Sequence, residues 1–267
     1  MRAIILAAGE GTRLRPHTLD CPKCLVELAG RPLLAYQFEA LEPAGVRDVT
    51  VVTGYRAEQI AAYGRPTRHN PDYARTNMVA SLMCAADLLD GGDDVLIAYS
   101  DIVYEPRVIV ALRACPEPLC TTVDTCWLRL WRLRRADPLA DAETLKLDEE
   151  GDILELGRRP ASYDDIQGQY MGLTKVRADC AAGLVAAYER LDPKRLLEGR
   201  GRDNIYMTSF LQYLIDGGQP VRAVLVAGGW LEVDSSQDLE LYNRLHRQGG
   251  LDEYCRLASA PAWVLQP

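Results

Sequence analysis

The sequence lacks the features that mark membrane-spanning, nucleic-acid-binding and disordered proteins. No apolar run approaches the roughly 20 residues that cross a bilayer, and no repeat or Pro/Gly/Ser-rich linker interrupts the 267 residues. Basic residues are the minority, with 30 Lys and Arg against 38 Asp and Glu, so a nucleic-acid partner is not expected. Hydrophobic residues make up 48% and charged residues 25%, which is typical of a globular protein without a membrane partner.

Metal sites built from thiolate or imidazole groups are also poorly supported. There are three His in the chain, and none completes a zinc set with the CxxC pair Cys21 and Cys24. A redox role for this pair stays open, but most of the eight cysteines are predicted to be small buried apolar residues. The early apolar run at residues 3–8 is short for a signal peptide and leads into a charged loop. The predicted compartment is therefore the cytoplasm.

The pattern of apolar residues predicts an α/β fold. In the first half, strand-like and helix-like segments alternate, which favours a mostly parallel sheet with helices on both faces. The strands are predicted at 3–7, 49–53 and 95–98, and the helices at 33–41, 77–89 and 106–113. The second half is less regular. It is predicted to hold a long strand at 123–133, a hairpin within 145–156, helices at 178–190, 204–215 and from 236, and strands at 221–226 and 231–233.

The loop after the first strand holds the most informative motif, in the segment LAAGEGTRLRPHTLDCPKCL. Its small residues let the backbone approach a ligand closely, and successive N–H groups can form a concave anion site. Arg13, Arg15 and Lys23 add three cations, which suit a triphosphate and the charge that develops when a phosphate bond breaks. Neither a dinucleotide fingerprint nor a Walker A loop fits the spacing. The alternative is a tight turn with solvated arginines.

Two aspartates follow predicted strands and indicate a metal site. Asp101 ends AYSD and Asp234 ends WLEVD. Ligands of open α/β sheets bind at the carboxyl ends of strands, so both residues are expected near the glycine loop. Two carboxylates are a reasonable protein share of a Mg²⁺ site. Alternatively, Asp101 is a turn residue and Asp234 caps a helix, because Ser235-x-x-Asp238 looks like a helix start.

The motifs LAAGEGTRLRP, PKCL and GRPL resemble those of the nucleotidyltransferase family that makes NDP-sugars and CDP-alcohols, and the resemblance spans nearly the whole chain. It implies a mixed, Rossmann-like α/β fold and a Mg²⁺-dependent reaction that joins an NTP to a phosphorylated acceptor and releases pyrophosphate. It implies that Arg13 meets the β- and γ-phosphates, that Lys23 neutralises the α-phosphate and the acceptor phosphate, and that Asp101 and Asp234 bind the metal. The implied nucleotide-binding residues are Leu6, Ala7, Ala8, Gly9, Glu10, Gly11 and Thr12.

The nucleotide is predicted from Asn77 and Ser81. They are four residues apart, hence on one face of the predicted helix, and an amide and a hydroxyl can read a pyrimidine edge. Asn77 could equally cap the helix. The segment HNPDYARTNMVASL resembles the branch of the family that activates phosphocholine with CTP, in which an Asn and a Ser contact cytosine. The resemblance therefore implies CTP as the nucleotide.

The acceptor is predicted from aromatic and acidic residues in the second half. Trp127 and Trp131 would share one face of the long strand, and aromatic faces with nearby carboxylates favour a quaternary ammonium. Together with the likeness to the phosphocholine branch, this predicts that Trp131, Tyr170 and Asp203 bind an amino-alcohol phosphate or an aminophosphonate. Alternatively, the tryptophans pack in the core and Asp203 is a helix cap.

The sequence also allows two alternative functions to be weighed and a domain organisation to be predicted. A sugar 1-phosphate acceptor is the main alternative, although residues 157–160 read GRRP where sugar-1-phosphate members usually carry Glu-Lys-Pro. A catalytically silent relative is less consistent, because Lys23 and both aspartates are present. One domain is expected over residues 1–267, with a nucleotide-binding part at about 1–115, an inserted acceptor-binding part at about 116–230 and a C-terminal part at 231–267.

Overall fold

The computed structural model describes residues 1–257, and its centre is a mixed seven-stranded sheet. After Arg2, the first strand is apolar and buried because it lies inside this sheet between two parallel neighbours. The thirteen strands are β1 Arg2–Ala7, β2 Glu27–Leu28, β3 Arg31–Pro32, β4 Asp48–Thr53, β5 Thr67–His69, β6 Val95–Tyr99, β7 Ile102–Tyr104, β8 Leu119–Asp124, β9 Leu145–Leu147, β10 Ile153–Leu156, β11 Gln169–Val176, β12 Arg222–Val226 and β13 Trp230–Glu232.

The strand order confirms the predicted mixed, mostly parallel sheet. It runs β12-β8-β11-β6-β1-β4-β5. β11 is antiparallel to β6 and to β8, and the other neighbouring pairs are parallel. The remaining strands form three two-stranded pairs: β2 with β3, β7 with β13, and β9 with β10, which is the predicted hairpin.

Helices cover both faces of the sheet and create two apolar cores. They are α1 Leu33–Leu41, α2 Ala57–Ala61, α3 Met78–Met83, α4 Pro106–Ala114, α5 Trp127–Arg134, α6 Ala178–Arg190, α7 Met207–Asp216 and α8 Ser236–Arg247. Side chains of a strand alternate between faces, and β1 shows this directly. Ala3 and Ile5 belong to one core with residues of α1, α4 and α5, whereas Ile4 and Leu6 belong to the other with residues of α3, α6 and α7.

The predicted long strand at 123–133 is wrong. β8 ends at Asp124, and Trp127 begins α5. The segment WLRLWRLR alternates, but its buried residues Trp127, Leu130, Trp131 and Arg134 recur at i, i+3, i+4 and i+7, which is the period of a helix face. Trp127 and Trp131 therefore do share a face, but it is the face of a helix, and their ring centroids lie 5.9 Å apart.

Two other helices differ from their predicted ranges. The helix expected at 77–89 ends at Met83 and continues after a break as a 3-10 turn at 86–88, and the helix expected at 204–215 begins at Met207. Within residues 1–257, no helix combines the length and apolar character that a bilayer crossing requires. Residues 258–267, the end of the predicted C-terminal part, lie outside the described residues.

Candidate active site

The glycine loop brings the backbone against Lys23. β1 ends at Ala7, and Gly11 adopts the left-handed conformation at φ 65° before a 3-10 turn at Thr12–Leu14. A Cβ at Gly11 would lie 2.7 Å from Cβ of Lys23, which is closer than packed side chains approach. Gly11 is therefore needed both for its backbone conformation and for the room it leaves to Lys23.

Lys23 joins the two predicted metal-binding aspartates. Its Nζ lies 2.7 Å from Oδ2 of Asp101 and 3.1 Å from Oδ1 of Asp234, and Arg13 also forms an ion pair with Asp234. Burial lowers the pKa of Lys23, but the charges of Asp101 and Asp234 outweigh it, so the pKa lies above its ordinary value. Lys23 is thus a charged group held at the carboxyl ends of strands β1 and β6, as the sequence predicted.

A third carboxylate completes the cluster. Asp101, Glu232 and Asp234 each place one carboxylate oxygen within 4.8 Å of the others. Burial raises the pKa of Glu232, and the charges of Asp101 and Asp234 add to the rise against the opposing effect of Arg134 and Lys23. Sequence reasoning missed Glu232, although its position two residues before Asp234 in a strand-like segment was a usable signal.

Buried Arg134 supports this cluster from behind. Its side chain is 0% exposed, and it lies 2.9 Å from Oε2 of Glu232 and 3.1 Å from Oδ1 of Asp238. Burial would raise the pKa of Asp238, but the hydrogen bonds from Arg134 and Arg135 lower it to about 2. Asp238 also accepts from Ser235, which caps α8. The helix cap is therefore Ser235, and Asp234 is left to face the cluster.

Two cavities meet at the carboxylate cluster. The first cavity, of about 270 Å³, lies between the glycine loop and α3, and the second, of about 330 Å³, lies between β11, α5 and β13. Both are lined by Arg13, Met78, Tyr99, Asp101 and Asp234. A molecule in each cavity would therefore touch the same carboxylates and the same arginine.

The first cavity gathers most of the predicted nucleotide site. Of the predicted residues it is lined by Leu6, Ala8, Gly9, Gly11, Thr12, Arg13, Lys23, Asn77, Ser81, Asp101 and Asp234. Ala7 is instead buried within β1, and Glu10 forms an ion pair of 3.2 Å with Arg15. The structure does not place these two side chains on the cavity wall.

Asn77 and Ser81 border the first cavity but already have protein partners. The Oδ1 of Asn77 accepts from the backbone N–H of Met78 at 2.9 Å, so Asn77 caps α3 as the alternative prediction held. The Oγ of Ser81 accepts from Nδ2 of Asn70 at 2.9 Å. Asn70, on the segment before α3, therefore helps to fix the orientation of Ser81.

The second cavity contains two of the three predicted acceptor-binding residues. Trp131 and Tyr170 line it, together with Trp230, whose ring centroid is 6.2 Å from that of Trp131. Asp203 is not brought to this cavity. It lies in an exposed 3-10 turn, where its carboxylate accepts from the hydroxyl of Tyr188 at 3.0 Å. Trp230 and the acidic residues Asp141 and Glu143 on this wall were missed by sequence reasoning.

The CxxC pair does not show the properties of a reactive thiol. Both cysteines are free, Cys24 is buried and Cys21 is partly buried. Burial raises the pKa of both thiols, so neither favours the thiolate form that redox exchange requires. The pair fits the predicted role of packing residues.

Comparisons with known proteins agree with this geometry. Residues 3–151 match the family of the MobA-like NTP transferase domain. The CTP:phosphoglutamine cytidylyltransferase of Campylobacter jejuni subsp. jejuni serotype O:2 is 41% identical over 250 residues, covering 90% of this chain and 98% of the relative. The choline-phosphate cytidylyltransferase of Streptococcus pneumoniae is 45% identical over 86 residues, covering 31% of this chain and 38% of the relative.

A solved structure supports the fold. The CTP:phosphocholine cytidylyltransferase from Streptococcus pneumoniae superposes with a TM-score of 0.66 at 21% identity, covering 92% of this chain and 98% of that chain. This likeness over most of both chains agrees with the Rossmann-like fold that the sequence resemblance implied. The family match, the full-length relative and the convergent site together show that the chain is a nucleotidyltransferase and belongs to the MobA-like NTP transferase family.

Proposed function

We propose that the enzyme transfers CMP from CTP to the phosphate or phosphonate group of a small acceptor that carries a cationic nitrogen, and releases pyrophosphate. The observation that supports this best is the shared wall of the two cavities. A nucleotide in the first cavity and an acceptor in the second would meet where Lys23, Arg13 and the carboxylate cluster lie. Such an arrangement suits a reaction between two phosphate groups, since it supplies positioning and positive charge.

The carboxylate cluster fits a magnesium ion. Mg²⁺ prefers hard oxygen ligands and takes the rest of its ligands from water and substrate phosphates. Oδ1 of Asp101 is buried and has no hydrogen-bond partner among residues 1–257, which leaves one oxygen of this carboxylate available as a ligand. Asp101, Asp234 and Glu232 would hold the ion, and a bound ion would neutralise phosphate charge at the reacting centre.

The side chains of the protein then have simple roles. An oxygen of the acceptor phosphate attacks the α-phosphorus of CTP in line, and the bond to pyrophosphate breaks. The attacking oxygen is already anionic, so no general base is required. Lys23 neutralises charge at the α-phosphate and Arg13 neutralises the leaving pyrophosphate. Loss of Lys23 is expected to cost on the order of 10²-fold or more in rate, as for a donor in an oxyanion hole.

Two lines support CTP and a nitrogen-bearing acceptor. Both relatives described above are cytidylyltransferases, and phosphoglutamine and choline phosphate each contain a cationic nitrogen. The second cavity has the matching chemistry, because the rings of Trp131 and Trp230 and the carboxylate of Glu143 line it. Aromatic faces and carboxylates attract an ammonium group. Phosphoglutamine is the first acceptor to test, since that relative matches over nearly its full length.

Pyrophosphate release tests the proposal. The enzyme is incubated with each of CTP, UTP, dTTP, ATP and GTP, with and without MgCl₂. The acceptors are phosphoglutamine, phosphoethanolamine, phosphocholine, 2-aminoethylphosphonate and hexose 1-phosphates. We expect release only with CTP, Mg²⁺ and a nitrogen-bearing acceptor, and at least a 10²-fold slower rate for Asp101→Asn. Release with hexose 1-phosphates but with none of the nitrogen-bearing acceptors would overturn the proposal and favour a sugar nucleotide product.

A further inference from the structure

Glu143 differs from the other carboxylates that line the second cavity. The other four each have a basic partner: Asp101 pairs with Lys23, Asp234 with Lys23 and Arg13, Glu232 with Arg134, and Asp141 with Arg135. Glu143 has no ion pair and no side-chain hydrogen bond with any residue in the described range 1–257. Its carboxylate is the group on this wall that lacks a counter-charge from the protein.

The backbone of Glu143 is fixed by Gln169. The Oε1 of Gln169 accepts from the backbone N–H of Glu143 at 3.0 Å, and its Nε2 donates to the carbonyl of Glu143 at 2.5 Å and to that of Gly168 at 3.0 Å. Gln169 is itself 3% exposed and lies in β11 directly before Tyr170. Because the buried amide both accepts from and donates to the backbone of Glu143, it holds this residue in place on the cavity wall. Residues that recognise a ligand are kept rigid by such supporting hydrogen bonds.

A carboxylate in this position discriminates between two kinds of ammonium group. A trimethylammonium is attracted to aromatic faces and to carboxylates by its charge, but it has no N–H and donates no hydrogen bond. A primary ammonium has three N–H donors and forms charge-assisted hydrogen bonds with a carboxylate. A trimethylammonium that fills the cavity would displace water from the carboxylate of Glu143 without donating a hydrogen bond to it. Loss of those water hydrogen bonds costs free energy for a charged group. The wall thus favours the primary ammonium.

We propose that Glu143 is a specificity-determining residue that accepts a hydrogen bond from the primary ammonium of the acceptor and thereby disfavours a trimethylammonium. This inference rests on the proposed function, because it concerns the acceptor of that same reaction. It assigns this chain to acceptors with a free amino group, as in phosphoglutamine, in preference to phosphocholine. Gln169, whose amide bonds the backbone of Glu143 in both directions, is the corresponding positioning residue.

The test compares a matched pair of acceptors in matched variants. Phosphoethanolamine and phosphocholine differ only in three N-methyl groups. If another acceptor has the highest turnover, it is compared in the same way with its N-trimethyl form. We expect kcat/KM to be about 10- to 100-fold higher for the primary amine in the unmodified enzyme, the effect of one charge-assisted hydrogen bond. In Glu143→Gln, the kcat/KM values for the two acceptors should lie within about threefold of each other, mainly because the KM for the primary amine rises.

Control variants separate this role from a loss of structure. Glu149→Gln makes the same change at an exposed residue in the turn between β9 and β10 and should leave the ratio unchanged. Glu143→Leu removes the hydrogen-bond acceptor as well as the charge and should favour the trimethylammonium. Where turnover of a variant is too slow, the two dissociation constants measured by calorimetry with a non-cleavable CTP analogue give the same ratio.

The possible outcomes are distinct. An unmodified enzyme that is inactive with every nitrogen-bearing acceptor contradicts the proposed function. An active enzyme that prefers the trimethylammonium contradicts the role of Glu143, and so does a Glu143→Gln variant that loses both activities by the same factor. The role is supported if the ratio collapses in both Glu143 variants while the KM for CTP stays unchanged.

Discussion

Lys23 is predicted to stabilise the fold most strongly when no metal is bound. Its Nζ is 2.7 Å from Asp101 and 3.1 Å from Asp234, and the exposed fractions of the Lys23 and Asp234 side chains are 14% and 8%. Removing one partner of a buried ion pair costs about 3–5 kcal/mol. Because Asp101 is partly exposed and Arg13 still pairs with Asp234, we expect Lys23→Met to lower the free energy of unfolding by about 2–3 kcal/mol. This corresponds to a Tm about 5–10 °C lower.

Magnesium should remove most of this difference. The proposed ion binds the same carboxylates as Lys23, so the ammonium opposes metal binding through charge repulsion. In Lys23→Met the ion should therefore bind more tightly and stabilise the variant by more, following the mass-action dependence on ligand concentration. In saturating MgCl₂ we expect the difference in unfolding free energy to fall below about 1 kcal/mol, although kcat stays at least 10²-fold reduced.

Urea denaturation in EDTA and in excess MgCl₂ measures the difference in unfolding free energy without and with Mg²⁺, and a steady-state assay measures kcat. Lys146→Met is the matched control, because Lys146 forms a more exposed ion pair with Asp165, and exposed pairs contribute little. If Lys23→Met lowers the unfolding free energy by the same amount with and without Mg²⁺, then Lys23 and Mg²⁺ do not bind the same carboxylates. Retention of kcat within tenfold of the unmodified enzyme would refute the catalytic role of Lys23.

Four further predictions concern individual side chains. Gly11→Ala should reduce kcat at least tenfold in steady-state assays, because the new methyl group displaces Lys23. Arg134→Met should lower the unfolding free energy in urea by about 3 kcal/mol, because it removes the partner of Glu232 and leaves buried Asp238 with Arg135 alone. Burial, together with nearby carboxylates, raises the pKa of Glu143 from 4.5 to about 7. The native state then binds more protons between those two values, so stability of the ligand-free protein should fall as the pH rises through this window, by at most about 3 kcal/mol. Glu143→Gln should remove that part of the pH dependence. Asp203→Ala should leave the acceptor KM within twofold, because its carboxylate contacts Tyr188 outside the second cavity.

Each of these predictions has a control or a contrary result. Gly183→Ala, in α6 where a Cβ meets no atom within 4 Å, should leave kcat unchanged. Arg132→Met, at an exposed position of α5, should cost less than about 1 kcal/mol. An identical pH–stability curve for the unmodified protein and Glu143→Gln would contradict the raised pKa. A large rise in acceptor KM for Asp203→Ala would restore the role that the sequence suggested.

Local patterns of apolar residues and prolines were enough to predict most elements of the fold. Strand β1 and helix α1 follow from a continuous apolar run and from a proline before a helical pattern, and both are found where predicted. The segment at 127–134 was misread because its apolar residues satisfy both a period of two and the i, i+3, i+4 spacing. The choice between them is made by tertiary packing, since Trp131 contacts Trp230 and Arg134 contacts Asp238. Neither partner is close in sequence.

The site was predictable to the extent that motifs and strand ends define it. The loop after β1 and Asp101 could be placed together because the carboxyl ends of neighbouring parallel strands meet. Asp234 reaches the same place by another route, since its strand β13 pairs antiparallel with β7 outside the seven-stranded sheet. Glu143 has no motif, and its proximity to the acceptor cavity arises from pairing of its backbone with Gln169 in a different element. Asp203 looked equally suitable in sequence, but the carbonyl of Asp203 accepts from the backbone N–H of Asn77 at 2.9 Å and its carboxylate faces Tyr188. Long-range contacts of this kind are not visible in a single sequence.

The charge distribution explains how an acidic enzyme can bring two phosphate groups together. The formal net charge is −8, yet Lys23 and Arg13 lie at the wall of the first cavity, and Arg13 also lines the second. Glu143 lines the second cavity and not the first. An acceptor with a phosphate at one end and an ammonium at the other would therefore be oriented by charge alone, with its phosphate toward the nucleotide. A sugar phosphate has no positive end, so it would gain no attraction from Glu143. If the proposed function holds, the acidic wall of the second cavity would both favour such an acceptor and align it for attack.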